Sequence, residues 1–190
     1  MKKISLLIFI AISCLACYAD SSELSKQATA FYSDNNYVKT MDIILQINEK
    51  KRTAQDWILL GNVMADNGKK EDAAYMYLKA IGKDKKCYRA YYNLGNYYFE
   101  NGMYEKAIES YNSASKINSE NPYVYYNLAN VYIRLKNYGK AKTNLYKAIV
   151  YNSKIPEFHY NLAYVYKQLN NEKMAKTYLE NYNKLTENLN

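Results

Sequence analysis

Asparagine is the residue whose spacing in this chain could do chemistry. Asn93, Asn127 and Asn161 stand 34 residues apart, and so do Asn62, Asn96 and Asn130. A carboxamide donates and accepts at once, so it can pair with both the C=O and the N–H of a peptide group. Repeated at a constant step, such amides could grip an extended backbone with little regard for its side chains. Tyr92, Tyr126 and Tyr160 keep the same step, and each offers flat apolar area with a polar tip. A compositional reading competes. The chain is rich in Asn and Lys and holds 24 Tyr, as AT-rich codon usage produces, and the amides then serve packing alone.

Other chemistry has little to stand on. His159 is the only His, and it fills a position that Trp57, Tyr91 and Tyr125 fill elsewhere, which points to packing. No Cys/His/Asp metal spacing, P-loop or dinucleotide glycine motif occurs. The reading therefore expects no enzyme, no cofactor and no metal. Of the three Cys, Cys14 and Cys17 sit near the start and Cys87 stands alone at a turn, so there is no disulfide framework.

Residues 1–19 have the pattern of an export signal. Lys2 and Lys3 precede an apolar run from Ile4 to Ile12, too short to span a bilayer, and small residues follow. Two outcomes stay open. Cleavage after Ala19 would free a soluble chain, whereas processing at Cys14 or Cys17 would leave a lipid anchor. Either places the protein outside the cytoplasm, periplasmic or as a membrane-anchored lipoprotein of a bacterial envelope.

The elements that must position the amides follow from the same period. Leu60, Leu94, Leu128 and Leu162 recur every 34 residues, as do Ala73, Ala107, Ala141 and Ala175, and Ala80, Ala114 and Ala148. Within one period, Tyr91, Leu94, Gly95 and Tyr98 make one helical stripe and Tyr104, Ala107, Ile108, Tyr111 and Ala114 a second. Asn101-Gly102 supplies the turn between them. Pro122 and Pro156 stand where a new helix begins. Gly95 and Ala107 let the paired helices approach, and Ala114 lets the next unit dock. One pair cannot bury both faces alone, so the units must stack into an all-α solenoid.

Tyr91-x2-Leu94-Gly95-x2-Tyr98, followed by Ala107, Tyr111 and Ala114, resembles the tetratricopeptide repeat; Trp57-x2-Leu60-Gly61, then Ala73, Tyr77 and Ala80, does so less closely. The resemblance covers units 54–87, 88–121, 122–155 and 156–189. Residues 21–53 form a weaker fifth unit, either a degenerate repeat or an N-terminal cap. The family's proline near the repeat end is missing, with Ser119 and Ser153 in its place. The last unit has Tyr182 where the others have Ala. No further helix follows it, so the final helix is expected to be partly exposed or paired with a partner, a second copy included.

The resemblance implies a superhelix whose first helices line a concave, peptide-binding groove. On that count the groove residues are Asn62; Arg89, Tyr92, Asn93, Asn96 and Phe99; Tyr126, Asn127, Asn130 and Arg134; and Tyr160, Asn161 and Tyr164, with Ile58, Leu59 and Ile133 adding apolar surface. The implied partner is another polypeptide. Net charge is +8, and residues 122–155 carry Lys136, Lys140, Lys142 and Lys147 without any Asp or Glu. These lysines are either a solvated face or a convex basic ridge for glycan or an anionic membrane. Export and the lack of a recognition motif argue against nucleic acid.

Overall fold

The computed structural model describes residues 20–187. The export segment, with the lipidation candidates Cys14 and Cys17, lies outside the described residues. The chain divides into two compact units that meet between Lys83 and Asp84. The described residues contain helices and no strand.

The first unit holds α1 (Ser21–Ser33), α2 (Tyr37–Gln46), a short 3-10 turn (Glu49–Lys51), α3 (Ala54–Asp66) and α4 (Lys70–Lys83). The second holds α5 (Tyr88–Glu100), α6 (Tyr104–Ile117), α7 (Pro122–Arg134), α8 (Tyr138–Tyr151), α9 (Pro156–Gln168) and α10 (Glu172–Glu187). Consecutive helices pack as pairs, and within each unit the second helix of a pair packs on the first of the next: α2 on α3, α6 on α7, and α8 on α9.

Helix starts are set by caps that satisfy otherwise orphaned N–H groups. Thr53 and Asp56 form a capping box on α3. Asn137 caps α8 by accepting from Lys140 N at 3.2 Å, and Asn171 caps α10 by accepting from Met174 N at 3.1 Å. Pro122 and Pro156 occupy the first turn of α7 and α9, where no N–H is missed. The turns inside the pairs are also periodic. Gly68, Gly102, Lys136 and Asn170 all have positive φ, at 77°, 71°, 55° and 56°. Each reverses the chain at the same place in its unit, and only the glycines do so without steric cost.

The small-residue columns lie where the stacking needs them. Ala107, Ala114, Ala141 and Ala148 are fully buried. In the second unit Ala114 and Ala148 share a core cluster with Val124, Leu128 and Phe158. Ala141 and Leu145 share the next with Leu162 and Val165. These clusters fix α5, α7 and α9 as rigid carriers for the side chains of interest.

Candidate functional site

In the second unit the two asparagine columns meet. Asn127 donates from Nδ2 to Asn96 Oδ1 at 3.0 Å and to the Tyr92 hydroxyl at 3.2 Å. Asn161 donates in the same way to Asn130 Oδ1 at 2.7 Å. Each bond ties one first helix to the next, so the columns are stitched together rather than standing free. The bonding fixes which end of each amide is available. Both N–H groups of Asn127 are committed, which leaves its carbonyl oxygen as an acceptor. Asn96 and Asn130 use their oxygens as acceptors; the Asn96 amide also hydrogen-bonds the Tyr92 hydroxyl, whereas Asn130 keeps its NH2 group. Asn93 is half-buried on α5, and Asn62 belongs to the first unit, where it accepts from the Tyr77 hydroxyl at 3.0 Å.

The aromatic residues divide into two groups. Tyr160 and Tyr164 are about half exposed, at 52% and 42%, and so is Tyr123 at 45%. Arg89 and Arg134 are also exposed. Phe99 and Tyr126 instead lean into the core, with ring contacts to Tyr104 and Phe158 at 6.1 and 5.0 Å. Tyr92 is half-buried, and burial pushes its hydroxyl pKa up. Ile133 is half-buried. Ile58 and Leu59 are only 3% and 2% exposed, so they are core residues and not surface. The helix-face count misassigns them because both neighbouring faces of α3 are covered. Tyr123, which the same count places on the outward face, stands at the exposed start of α7.

A second set of residues, which the sequence marks only as packing positions, also supports the amides. Tyr111 donates to Asn96 Oδ1 at 2.7 Å, as Tyr77 does to Asn62. Each of these rings lies against a glycine. A Cβ added at Gly95 would come within 2.5 Å of the Tyr111 ring, and one at Gly61 within 2.5 Å of Tyr77. In the next two repeats Ala129 and Ala163 replace the glycines, and Leu145 and Leu179 replace the tyrosines. A smaller side chain on the second helix makes room for a Cβ on the first. The exchange removes the tyrosine hydroxyl, so Asn130 accepts from Asn161 without the second donor that Asn96 has.

Tyr111 is almost fully buried, and that burial raises its pKa well above the ordinary value near 10. The unfolded chain ionises this tyrosine first, so unfolding releases a proton at high pH. Stability is full below pH 10 and falls as pH rises beyond it, by about 1.4 kcal/mol per pH unit for this group. Melting between pH 9 and pH 11 should show the decline, and Tyr111→Leu should make it shallower.

The lysines of the proposed ridge lie over rings. Lys140 Nζ stands 5.3 Å from the centre of the Tyr132 ring, Lys147 5.3 Å from Tyr125, and Lys142 5.8 Å from Tyr166. Two of the pairings repeat elsewhere. Lys106 over Tyr98 lies one period before Lys140 over Tyr132, and Lys79 over Trp57 lies two periods before Lys147 over Tyr125. Cation–π contacts of this kind hold the second helix on the first. Lys136 is committed to the left-handed turn.

His159 is buried, and its Nε2 lies 2.8 Å from the Ser153 carbonyl. One repeat earlier the Tyr125 hydroxyl donates to the Ser119 carbonyl at 2.8 Å. The imidazole thus copies a tyrosine's hydrogen bond, six residues back along the chain. Its Nδ1 is buried without a partner. His159→Tyr should therefore keep stability within about 1 kcal/mol of the native chain, while His159→Phe, which orphans the carbonyl, should cost about 1–3 kcal/mol. Thermal melts of the two variants check the difference. Among the described residues no group of three His, Cys, Asp or Glu could hold a metal, and no helix is long and apolar enough to cross a membrane.

Paired helices repeated at one period, with small residues at the pair contacts, define a helical-repeat scaffold. A tetratricopeptide-repeat model matches residues 122–154 and 156–188, and a related repeat model of the same type matches 95–136. Residues 95–154 and 156–188 thus carry tetratricopeptide repeats, and that fold serves in general as a scaffold for protein–protein interaction. Solved structures agree on the fold. MamA is similar with a TM-score of 0.77 at 19% identity, covering 90% of this chain and 97% of that one. PilF of Pseudomonas aeruginosa is similar with a TM-score of 0.76 at 20% identity, covering 86% of this chain and 75% of that one. Against curated protein sequences the chain has no significant match.

Proposed function

We propose that the first-helix face of the second unit holds an extended stretch of another polypeptide, and that the protein scaffolds an assembly in a bacterial envelope. The observation that carries this is the stitched amide row. Asn127 and Asn161 each donate to the preceding repeat and are left with an acceptor oxygen, while Asn130 keeps a donor. Acceptors and a donor thus alternate along α7 and α9, as a peptide backbone requires. Tyr123, Tyr160 and Tyr164 stand exposed nearby as contact area of low entropic cost. Recognition of this kind reads backbone more than side chains, so the partner is an extended segment of broad sequence.

The envelope location rests on the signal-like pattern of residues 1–19. The runner-up, a basic ridge docking on glycan or anionic membrane, has less behind it, because Lys140, Lys142 and Lys147 already lie over rings. Replacement of Asn93, Asn127 and Asn161 by Ala tests the reading: partner binding should fall while helicity stays, and unchanged binding would defeat it.

A further inference from the structure

The first unit contains a pocket that the peptide-binding reading does not use. It encloses about 440 Å³ and is lined by Asn48, Glu49, Lys50, Trp57, Lys79 and Lys83. That is the size of a small-ligand site. Three lysines and one glutamate line it, and its wall includes the chain's only tryptophan. Trp57 is buried, and its indole N–H has no hydrogen-bond partner.

We infer that this pocket binds a small phosphate-bearing anion. Glu49 is the observation that points to an anion. Its carboxylate sits in the pocket at 3.2 Å from Lys79 Nζ, so an anionic group already occupies part of the site. Both residues of that pair are well exposed, and an exposed pair of this kind is weak enough for a ligand to displace. Lys83 reaches the same region and donates to the Lys50 carbonyl at 2.7 Å.

The donor set favours phosphate over carboxylate. A planar carboxylate is best clamped by a bidentate guanidinium. Arg52 is not among the residues lining the pocket: its Nε donates to the Ile47 carbonyl at 3.2 Å and its guanidinium lies 5.1 Å from the Trp57 ring centre. What remains are lysines, point charges with freely rotating donors that suit a tetrahedral oxyanion. The phosphate can belong to a soluble molecule or to a lipid headgroup.

Because Trp57 is unique, its fluorescence reports on this site alone. The full chain is titrated with sodium pyrophosphate at constant ionic strength, and the emission of Trp57 is followed. A saturable change is expected, weakened about five-fold or more by Lys83→Gln and strengthened about two- to five-fold by Glu49→Gln. Circular dichroism confirms that both variants are folded. If either variant unfolds, Lys50→Gln replaces it, with weakening again expected. A response that is linear in pyrophosphate, or saturable but identical in all variants, would overturn the proposal. Glycerol phosphate then competes if the natural ligand is soluble. Sedimentation with phosphatidic-acid vesicles, lost in Lys83→Gln, marks a headgroup.

Discussion

Gly95→Ala should destabilise the second unit by about 2 kcal/mol, and Tyr111→Leu in the same chain should recover much of that loss. The added methyl group would come 2.5 Å from the Tyr111 ring, inside any van der Waals contact. The ring is buried and holds Asn96 through its hydroxyl, so it cannot swing clear without breaking that bond. Overpacking of this kind costs about 1–3 kcal/mol. Tyr111→Leu alone should also destabilise, by roughly 2 kcal/mol, because it opens a cavity and strips a donor from Asn96. Together the two changes recreate the pairing of Ala129 with Leu145 that the next repeat already uses. A double-mutant cycle by denaturant unfolding should give a coupling of 1 kcal/mol or more in the favourable direction, within the range of about 0.5–3 kcal/mol found for contacting residues. Strict additivity would show that the two repeat types are not alternative solutions to one packing problem.

The second large effect concerns binding. The Asn93→Ala, Asn127→Ala and Asn161→Ala chain should bind an extended polypeptide partner about 10–100-fold more weakly, since central interface residues are worth roughly 1–2 kcal/mol each and do not add fully. It should also melt somewhat earlier. Removing the Asn127 and Asn161 amides breaks the inter-repeat bonds to Asn96 and Asn130, at about 1 kcal/mol each. Helical content should stay near native, because the alanine and leucine clusters that hold the pairs are untouched. Affinity and circular dichroism measured on the same preparations separate the two effects.

Much of the architecture was legible in the sequence because its determinants are local and periodic. Ala107, Ala114, Ala141 and Ala148 repeat at the helix contacts, and a period of 34 leaves few other ways to bury them. The left-handed turns were half visible: Gly68 and Gly102 announce themselves, but Lys136 and Asn170 reach the same conformation only because the flanking pairs force it. The candidate site was less legible. Spacing placed Asn96, Asn127, Asn130 and Asn161 on first helices, yet it could not show that they bond to one another across repeats. That depends on which way each amide turns, and the Tyr92 and Tyr111 hydroxyls decide it. Ile58 and Leu59 failed for a related reason, because a helix-face count cannot see what lies over the face. The lysines of 122–155 read as free charge because rings a turn of helix away are invisible to a charge tally.

The central claim is that a polypeptide lies along the first-helix face of the second unit. A photo-crosslinking residue placed at Tyr160, and as a control at Val150 on α8, tests it in an extract of the cells that make the protein. The account predicts a discrete polypeptide adduct from position 160, suppressed when Asn127 and Asn161 are also alanine, and none from position 150. Equal crosslinking at both positions, or an adduct at 160 that ignores the asparagines, would contradict it.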